Sequence, residues 1–313
     1  MAQSLLFITT SSILLVFLIF PIVSWANNAT PHPVLKYRRG PILRGELKLG
    51  ILWYGRFGRT QKVVLRDFIR SLNSKGGSSS VDPTVSKWWS RVEQYQSAVL
   101  KRNRNRIPKI RVRIVKQKTD KDYSIGKILM PDFFPGLVEK AKGGVDSAIA
   151  VIFTDRQVSI VGTCMGQCSR HGVIGKGPSK SLYMVVGNPE TECPGTCAWP
   201  FHKADFGPQT LPLQPPNGNV GSDAMVIGLA TSLAGTVTNP YNSGFFQGPE
   251  NEPLEAVSAC AGIFGSGAFP GYAGKVHIAP GTGGCFNARG TKGRKFLLPA
   301  VWDPKTKSCW TLM

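Results

Sequence analysis

Mostly apolar runs along the chain predict three buried strands. Each run has the length of a strand, and runs of this kind are typical of strands that are covered on both faces of a sheet. They lie at 47–54, 148–153 and 182–186. A fourth strand is predicted at 110–115, where apolar residues alternate with arginines that would face outward.

Apolar residues spaced three and four positions apart predict helices between these strands. The segments lie at 64–72, 85–95 and, more weakly, 137–141. Thr60 is placed to cap the first helix, and Asp82 with Pro83 is placed to begin the second. This alternation predicts an α/β fold, with a mixed sheet and packed helices.

The apolar segment that begins at Asp223 predicts a buried helix. Asp223 can serve as its N-cap, and Pro240 ends it because proline has no N–H to donate. Zinc peptidases carry on such a helix two histidines four residues apart, with a glutamate beside the first as the base. The corresponding positions here are Thr231, Ser232 and Gly235. We therefore predict a zincin-like core lacking the metal ligands, with no catalytic residue and no cofactor.

Two glycines lie on one side of this predicted helix, because Gly228 and Gly235 are seven positions apart. Glycine inside a helix costs about 0.5–1 kcal/mol relative to alanine. Close packing of this side against another backbone is therefore expected.

An enzyme is the alternative interpretation. His171, His202 and a cysteine would have to assemble a metal site, although no two of the chain's four histidines are four residues apart. Paired carboxylates among Glu250, Glu252 and Glu255 could instead cleave a glycosidic bond. Their position at the start of a short helix predicted at 253–259 favours a structural role. A metal-dependent or cell-wall polysaccharide hydrolase is thus kept as the alternative function.

The amino-terminal segment predicts export. Residues 5–20 form a nearly unbroken apolar run without charge, and Ser24 and Ala26 supply the small residues that precede a cleavage site. We predict a signal peptide at 1–26 and one domain at 27–313. No later segment is expected to span a bilayer, which needs about 18 apolar residues. Asn28 begins a glycosylation sequon.

Seven cysteines in an exported chain favour disulfides. Cys164 with Cys168 and Cys193 with Cys197 form two similarly spaced pairs, and a four-cysteine zinc site is therefore an alternative to disulfides. The usual zinc site has two residues between the paired cysteines, whereas each pair here has three. One cysteine must remain unpaired, and we predict that it is Cys285, in a glycine-rich turn. The other two cysteines are Cys260 and Cys309.

The formal net charge of +20 is concentrated in one block, where residues 101–121 hold ten basic residues and one acid. A solvated strand face is one explanation. The functional explanation is attraction to an acidic polymer. Acidic cell-wall polysaccharide or a cell-surface protein is a more suitable partner than nucleic acid for an exported chain. The candidate polyanion-binding residues are Arg102, Arg104, Arg106, Arg111 and Arg113.

The C-terminal part of the chain combines glycine, proline and aromatic residues, which predicts a lobe held by disulfides. Its aromatic residues either pack onto tight glycine turns or stand exposed as platforms for sugar rings. They are Phe245, Phe246, Phe264, Phe269 and Tyr272.

Ten motifs in one order give the chain a resemblance to the plant Exordium-like, or phosphate-induced, proteins. They lie at 37–44, 51–57, 86–89, 164–172, 186–202, 207–212, 223–240, 253–260, 267–274 and 293–304. The resemblance covers nearly the whole chain after the predicted signal peptide. It identifies the six cysteines other than Cys285 as those of the family.

The resemblance implies a protein of the apoplast or cell wall that is linked to brassinosteroid-responsive growth and cell expansion. It brings no established catalytic activity, and so no catalytic residue is carried over. The 223–240 segment also resembles a broader group in which His-Glu-Leu followed by Thr-Asp-Pro marks metalloproteins. The chain departs from that pattern at Thr231, Ser232 and Asn239.

Overall fold

The elements are those of a computed structural model, which describes residues 33–74, 83–100, 107–165, 167–250 and 252–313. The strands are β1 (Lys36–Tyr37), β2 (Glu46–Tyr54), β3 (Arg111–Asp120), β4 (Ile128–Leu129), β5 (Ala148–Thr154), β6 (Ser159–Ile160), β7 (Ser169–Ile174), β8 (Ser181–Val186), β9 (Phe245–Phe246), β10 (His277–Ile278), β11 (Cys285–Phe286), β12 (Ala288–Arg289), β13 (Lys295–Phe296), β14 (Val301–Asp303) and β15 (Ser308–Trp310). The helices are α1 (Arg59–Ser71), α2 (Val85–Glu93), α3 (Tyr95–Leu100), α4 (Phe134–Lys142), α5 (Pro194–Cys197) and α6 (Val220–Thr238).

A five-stranded sheet organises the fold, with its strands in the order β3-β2-β5-β8-β7. Strands β3, β2, β5 and β8 are mutually parallel, whereas β7 runs antiparallel to β8 at one edge. The predicted mixed sheet with packed helices is therefore confirmed. Strands β2, β5 and β8 match the three apolar runs, and β3 continues beyond its predicted end to Asp120.

Helices cover both faces of the sheet. One face packs against α1, α2 and α6, in a core that includes Phe68, Trp88 and Leu233. The other face packs against α4, through Leu137 and Val138. Helix α6 contacts β7 and β8, and α4 contacts β3 as well as β2 and β5. Each edge of the sheet thus has a helix beside it.

The starts of three helices differ from the sequence prediction. Helix α6 begins at Val220, because the side chain of Asn219, not that of Asp223, accepts from Ser222 N as the N-cap. Thr84 caps α2 in the same way. Gly58 precedes α1, so that Thr60 lies inside the helix. In each case the polar residue that was predicted to cap lies within a few positions of the residue at the N-cap.

The C-terminal region contains short strand pairs instead of a second sheet. Strands β10 with β11, β12 with β13, and β14 with β15 each form a two-stranded antiparallel pair. The helix predicted at 253–259 is wrong, because this segment holds only a single 3₁₀ turn at Ser258–Cys260. Glu255 N instead donates to Ser258 Oγ at 2.8 Å, which closes a local turn.

Three disulfides connect the described cysteines. Cys164 bonds Cys193, Cys168 bonds Cys197, and Cys260 bonds Cys309. Each cysteine of the 164/168 pair is therefore bonded to a cysteine of the 193/197 pair. The four-cysteine zinc site is excluded, because none of these four cysteines remains a thiolate that could bind zinc. Cys285 is unpaired, as predicted, and it is also buried.

Helix α6 is long and apolar enough, by length and composition, to cross a membrane. The prediction that no segment after the amino terminus has this property was therefore wrong. Most of the helix is buried inside the protein, where Leu229, Leu233 and Val237 belong to the main core. The predicted signal peptide and Asn28 lie outside the described residues.

Candidate functional site

A polar cleft lies between β7, α6 and the segment that follows Glu250. Its volume is about 410 Å³. We call it the β7–α6 cleft. Its lining residues include Ser169, Arg170, His171, Tyr183, Thr231, Ser232, Asn242, Glu250, Glu255 and Ser258. The cleft therefore combines hydroxyl, imidazole, guanidinium and carboxylate groups at the antiparallel edge of the sheet.

The α6 side of the cleft carries the positions that hold two metal ligands and the catalytic base in zinc peptidases, and these are Thr231, Gly235 and Ser232. Thr231 Oγ1 donates to Ile227 O at 2.9 Å, a bond within the helix. Ser232 Oγ donates to Ser169 Oγ on β7 at 2.8 Å, and Ser169 Oγ donates to Gly228 O at 2.8 Å. The hydroxyls of Ser232 and Ser169 therefore connect α6 to β7, whereas that of Thr231 does not.

Gly235, the third of these positions, faces an imidazole–carboxylate pair. His171 Nε2 lies 2.8 Å from Glu255 Oε2, and Asn239 Nδ2 donates to Glu255 Oε1 at 2.7 Å. A Cβ at Gly235 would lie 2.5 Å from Glu255 Oε2 and 2.6 Å from His171 Nε2. Carbon cannot approach either atom so closely, so the pair occupies the space that any side chain at this position needs.

The two helix glycines therefore pack against side chains, and the predicted packing against another backbone is wrong. A Cβ at Gly228 would lie 3.3 Å from Ser169 Cβ and 3.3 Å from Val186 Cγ1. This contact is tight, but it is with apolar atoms. Of these two glycines, Gly235 is the one whose neighbours are the ends of two titratable side chains.

The residues in the cleft do not fit a catalytic zinc ion, which needs three protein ligands and an open position. Across the residues that the structure describes, no three His, Cys, Asp or Glu side chains lie close enough together to hold a metal. His171 Nε2 is bonded to Glu255, and His171 Nδ1 is buried without a hydrogen-bond partner. His202 is exposed, and its Nδ1 lies 2.9 Å from Lys203 O, so it does not join His171.

The cleft does not contain a serine–histidine nucleophile either. Ser232 bonds Ser169, whereas His171 bonds Glu255, so that the hydroxyl and the imidazole belong to separate hydrogen-bond groups. Tyr183 also lines the cleft, where burial raises its pKa and the nearby Arg170 lowers it by less. The tyrosine stays a neutral hydroxyl at physiological pH.

Strand β3 carries four of the six described basic residues of the block, and Lys109 and Lys121 lie just outside it. Arg111 and Arg113 are exposed on it, as the alternation predicted. Arg113 Nε lies 2.6 Å from Glu46 Oε1 on β2. The other candidate polyanion-binding residues, Arg102, Arg104 and Arg106, lie outside the described residues. Strand β3 lies at the opposite edge of the sheet from the β7–α6 cleft.

The C-terminal aromatic residues divide into two groups. Phe245, Phe246 and Phe264 are buried in the core. Phe269 is 60% exposed, and its ring centroid lies 5.1 Å from that of Tyr272 in the same small hairpin. Three of the five predicted aromatic residues therefore pack inside the protein. Within this set, only Phe269 and Tyr272 present aromatic surface to solvent.

The sequence prediction missed both strand β7 and the pair of His171 with Glu255. The β7 sequence, Ser-Arg-His-Gly-Val-Ile, has too few apolar residues to stand out as a strand. His171 and Glu255 are 84 positions apart, so no spacing rule relates them. The one available signal was Gly235 itself, a costly residue inside an otherwise apolar helix.

Comparison with known proteins places the chain in a family. The family model described as "Phosphate-induced protein 1 conserved region" matches residues 35–312. The chain is 47% identical to Protein EXORDIUM-like 2 of Arabidopsis thaliana over 285 residues, which are 90% of each chain. It is 44% identical to Protein EXORDIUM of Arabidopsis thaliana over 300 residues, 93% of this chain and 94% of that protein.

A relative from a second plant supports the same assignment. The chain is 42% identical to Protein PHOSPHATE-INDUCED 1 of Nicotiana tabacum over 287 residues, 90% of this chain and 89% of that protein. No solved structure matches. With a family model that spans nearly all of the described residues and relatives that are aligned over nine-tenths of their length, the chain belongs to the Exordium and phosphate-induced protein family.

Proposed function

We propose that the protein is a secreted, non-catalytic protein of the plant apoplast and cell wall. It regulates growth and cell expansion by binding a wall polymer or a cell-surface partner. The geometry at Gly235 carries the non-catalytic part of this proposal. The His171–Glu255 pair fills the space of a metal-binding side chain, and Thr231 and Ser232 use their hydroxyls in packing.

Export is supported by the cysteine chemistry. Three disulfides are typical of proteins that fold on the oxidising secretory route. The apolar segment at 5–20 supplies the predicted signal. Growth regulation, with its link to brassinosteroid, is proposed from the resemblance to the Exordium family.

A zincin-like origin of the core is part of the same proposal. The supporting features are a parallel sheet with one antiparallel edge strand, β7, and a buried helix, α6, packed beside it. In this view the framework is retained, while Ser232, at the position of the catalytic base, bonds α6 to β7.

Zinc analysis of the secreted protein tests the non-catalytic proposal. The protein is purified from plant culture medium, dialysed with and without a chelator, and assayed for bound zinc and for growth promotion in plants that lack the gene. We expect far less than one zinc per chain and unchanged growth promotion after chelation. Stoichiometric zinc, or activity that chelator removes and zinc restores, would establish the hydrolase alternative instead.

A further inference from the structure

A β-bulge changes the direction of the side chains along edge strand β3. Leu49 of β2 pairs with Ile114, but the next residue of β2, Gly50, pairs with Lys116. Val115 is therefore an extra residue in β3, with no partner of its own in the register. After the bulge, each side chain therefore lies on the face opposite to the one that simple alternation would give it.

The bulge brings four cations to the same face of the strand. Without it, the alternation of strand residues would put Arg111 and Arg113 on one face and Lys116 and Lys118 on the other. The four residues instead pair with alternate residues of β2, at 46, 48, 50 and 52, which share one face. By the rise of a parallel strand they cover about 20 Å, with neighbours about 6.6 Å apart. We call this row the β3 ridge.

Contacts with α4 and its end identify the face on which the β3 ridge lies. A Cβ at Gly143, directly after α4, would lie 3.0 Å from Lys116 Cγ and 3.4 Å from Lys118 Cε. Asp120 follows in the same row, and Lys140 of α4 donates to it at 2.5 Å. The opposite face of β3 contributes Val112, which is buried in the core.

Most of the charge of the β3 ridge is not neutralised. All four cations are exposed. Arg113 is paired with Glu46, and that ion pair is itself solvent-exposed. Within the described part of the chain, no acidic side chain forms an ion pair with Arg111, Lys116 or Lys118. Three free cations and one partly compensated cation therefore form a continuous row.

Protection of an edge strand is the simplest other reason for these cations. Charged residues on an edge discourage pairing with a second sheet. A bulge can also protect an edge. Protection is nevertheless satisfied by charge on either face, and it does not require that all four cations lie on the same face. A linear polymer with regularly repeated anions is the ligand whose geometry matches a straight row of cations.

We propose that the β3 ridge binds the carboxylates of an acidic polysaccharide, a polymer of uronic acid residues. The proposal rests on the proposed function, because it specifies the wall polymer that the secreted protein binds. The attraction is electrostatic, so that binding weakens steeply as salt screens the charges.

Retention on polygalacturonate by the full secreted chain tests the proposal. The ridge variant is Arg111→Gln/Arg113→Gln/Lys116→Gln/Lys118→Gln. The matched control, Lys203→Gln/Lys275→Gln/Lys305→Gln/Lys307→Gln, removes four other exposed cations and lowers the net charge of +20 equally. Affinity is measured for both variants over a range of salt concentrations. Fully methyl-esterified polygalacturonate serves as the uncharged polymer.

We expect the ridge variant to bind about tenfold or more weakly at low salt, and the control variant to change about twofold or less. The esterified polymer should not retain the protein. Equal losses in both variants would mean that net charge alone acts, and would overturn the proposal. If the ridge variant is retained as strongly as the unmodified protein, the proposal is overturned. If that variant also self-associates, the cations serve to protect the edge strand instead.

Vesicles of phosphatidylcholine and phosphatidylserine provide the remaining arm. Ridge-dependent binding that is tighter to these vesicles than to polygalacturonate would overturn the polysaccharide assignment in favour of a membrane surface. Failure of this proposal is distinguishable from failure of the proposed function. Zinc content and chelator sensitivity report on the β7–α6 cleft, whereas polymer retention reports on β3.

Discussion

The two edges of the central sheet are built from different chemistry. The β3 edge carries exposed cations that make few bonds within the protein, and the β7 edge carries side chains that bond one another across three elements. Polar residues at the β7 edge are thus used in holding the fold together. Those at the β3 edge remain available to a partner. Polar residues near a cleft are therefore not by themselves a sign of catalysis.

Removal of a disulfide beside the β7 edge should have the largest effect on stability. Cys168 precedes β7 directly and bonds Cys197, 29 positions away. Cys168→Ser/Cys197→Ser should lower the free energy of unfolding by about 2–3 kcal/mol, because the unfolded chain gains freedom although the neighbouring Cys164–Cys193 bond still constrains it. Denaturant unfolding measures the loss. Cys285→Ser is the control, since Cys285 forms no disulfide, and an equal loss there would contradict the explanation.

The pH dependence of stability should separate the two edges, because Asp223 in α6 and Asp120 in β3 have pKa values that are shifted in opposite directions. Burial raises the pKa of Asp223, in the first turn of α6, to about 6, although Asn217 and Arg294 oppose the shift. A folded-state pKa above the unfolded value of 3.8 stabilises the protein fully below pH 3.8. That contribution, at most about 3 kcal/mol, is lost as the pH rises through about 6. Asp223→Asn should remove this part of the pH dependence.

Asp120, at the β3 edge, should show the opposite sign. Burial alone would raise its pKa, but hydrogen bonds from Lys140 and Ser124 outweigh burial and lower it. Its contribution is therefore present above pH 3.8 and lost as the pH falls through the lowered folded-state pKa. Thermal unfolding of Asp120→Asn between pH 2 and pH 7 measures this loss. The same direction of change in both variants would contradict the assignment.

A single methyl group should distinguish Gly235 from an unconstrained helix glycine. Gly235→Ala should cost about 2 kcal/mol, because the new Cβ overlaps Glu255 and His171. Gly136→Ala in α4 is the matched control, since a Cβ at Gly136 meets no atom within 4 Å. The control should be neutral or slightly stabilising. Equal effects in thermal unfolding would show that the imidazole–carboxylate pair moves aside freely, and would weaken the non-catalytic proposal.

The smallest effect should come from the β3 ridge. Neutralising its four cations should change the free energy of unfolding by less than about 0.5 kcal/mol, because exposed charges contribute little to stability. The Glu46–Arg113 pair should show a coupling of about 0.2–1 kcal/mol in a double-mutant cycle. A large loss of stability would mean that the β3 edge is as structural as the β7 edge, and would remove the contrast between them.

The strands and helices of the core were predictable because burial imposes a periodic pattern. Strands β2, β5 and β8 are mostly apolar, and α1 and α2 repeat apolar residues every three or four positions. The cysteines have no such periodicity. Cys285 was correctly predicted to be unpaired, but the spacing of the other six cysteines does not indicate which of them bond each other. Strand β7 has no such pattern, since part of it lines a polar cleft.

The candidate site was predictable only as a departure from a known pattern. Thr231, Ser232 and Gly235 were recognised as residues that do not bind metal, but nothing local indicated what faces them. The ridge was predictable as a block of charge, and not as a row, since simple alternation assigns Lys116 and Lys118 to the wrong face. The bulge at Val115 depends on pairing with β2, which is distant in sequence.

The amino-acid sequence by itself determined the α/β class, the family and the concentration of positive charge, because these follow from local periodicity, motif order and composition. Tertiary structure decided that His171 and Glu255 meet at Gly235, which cysteines pair, and that four cations share one face. Those outcomes depend on contacts between residues far apart in the chain, and only packing brings them together.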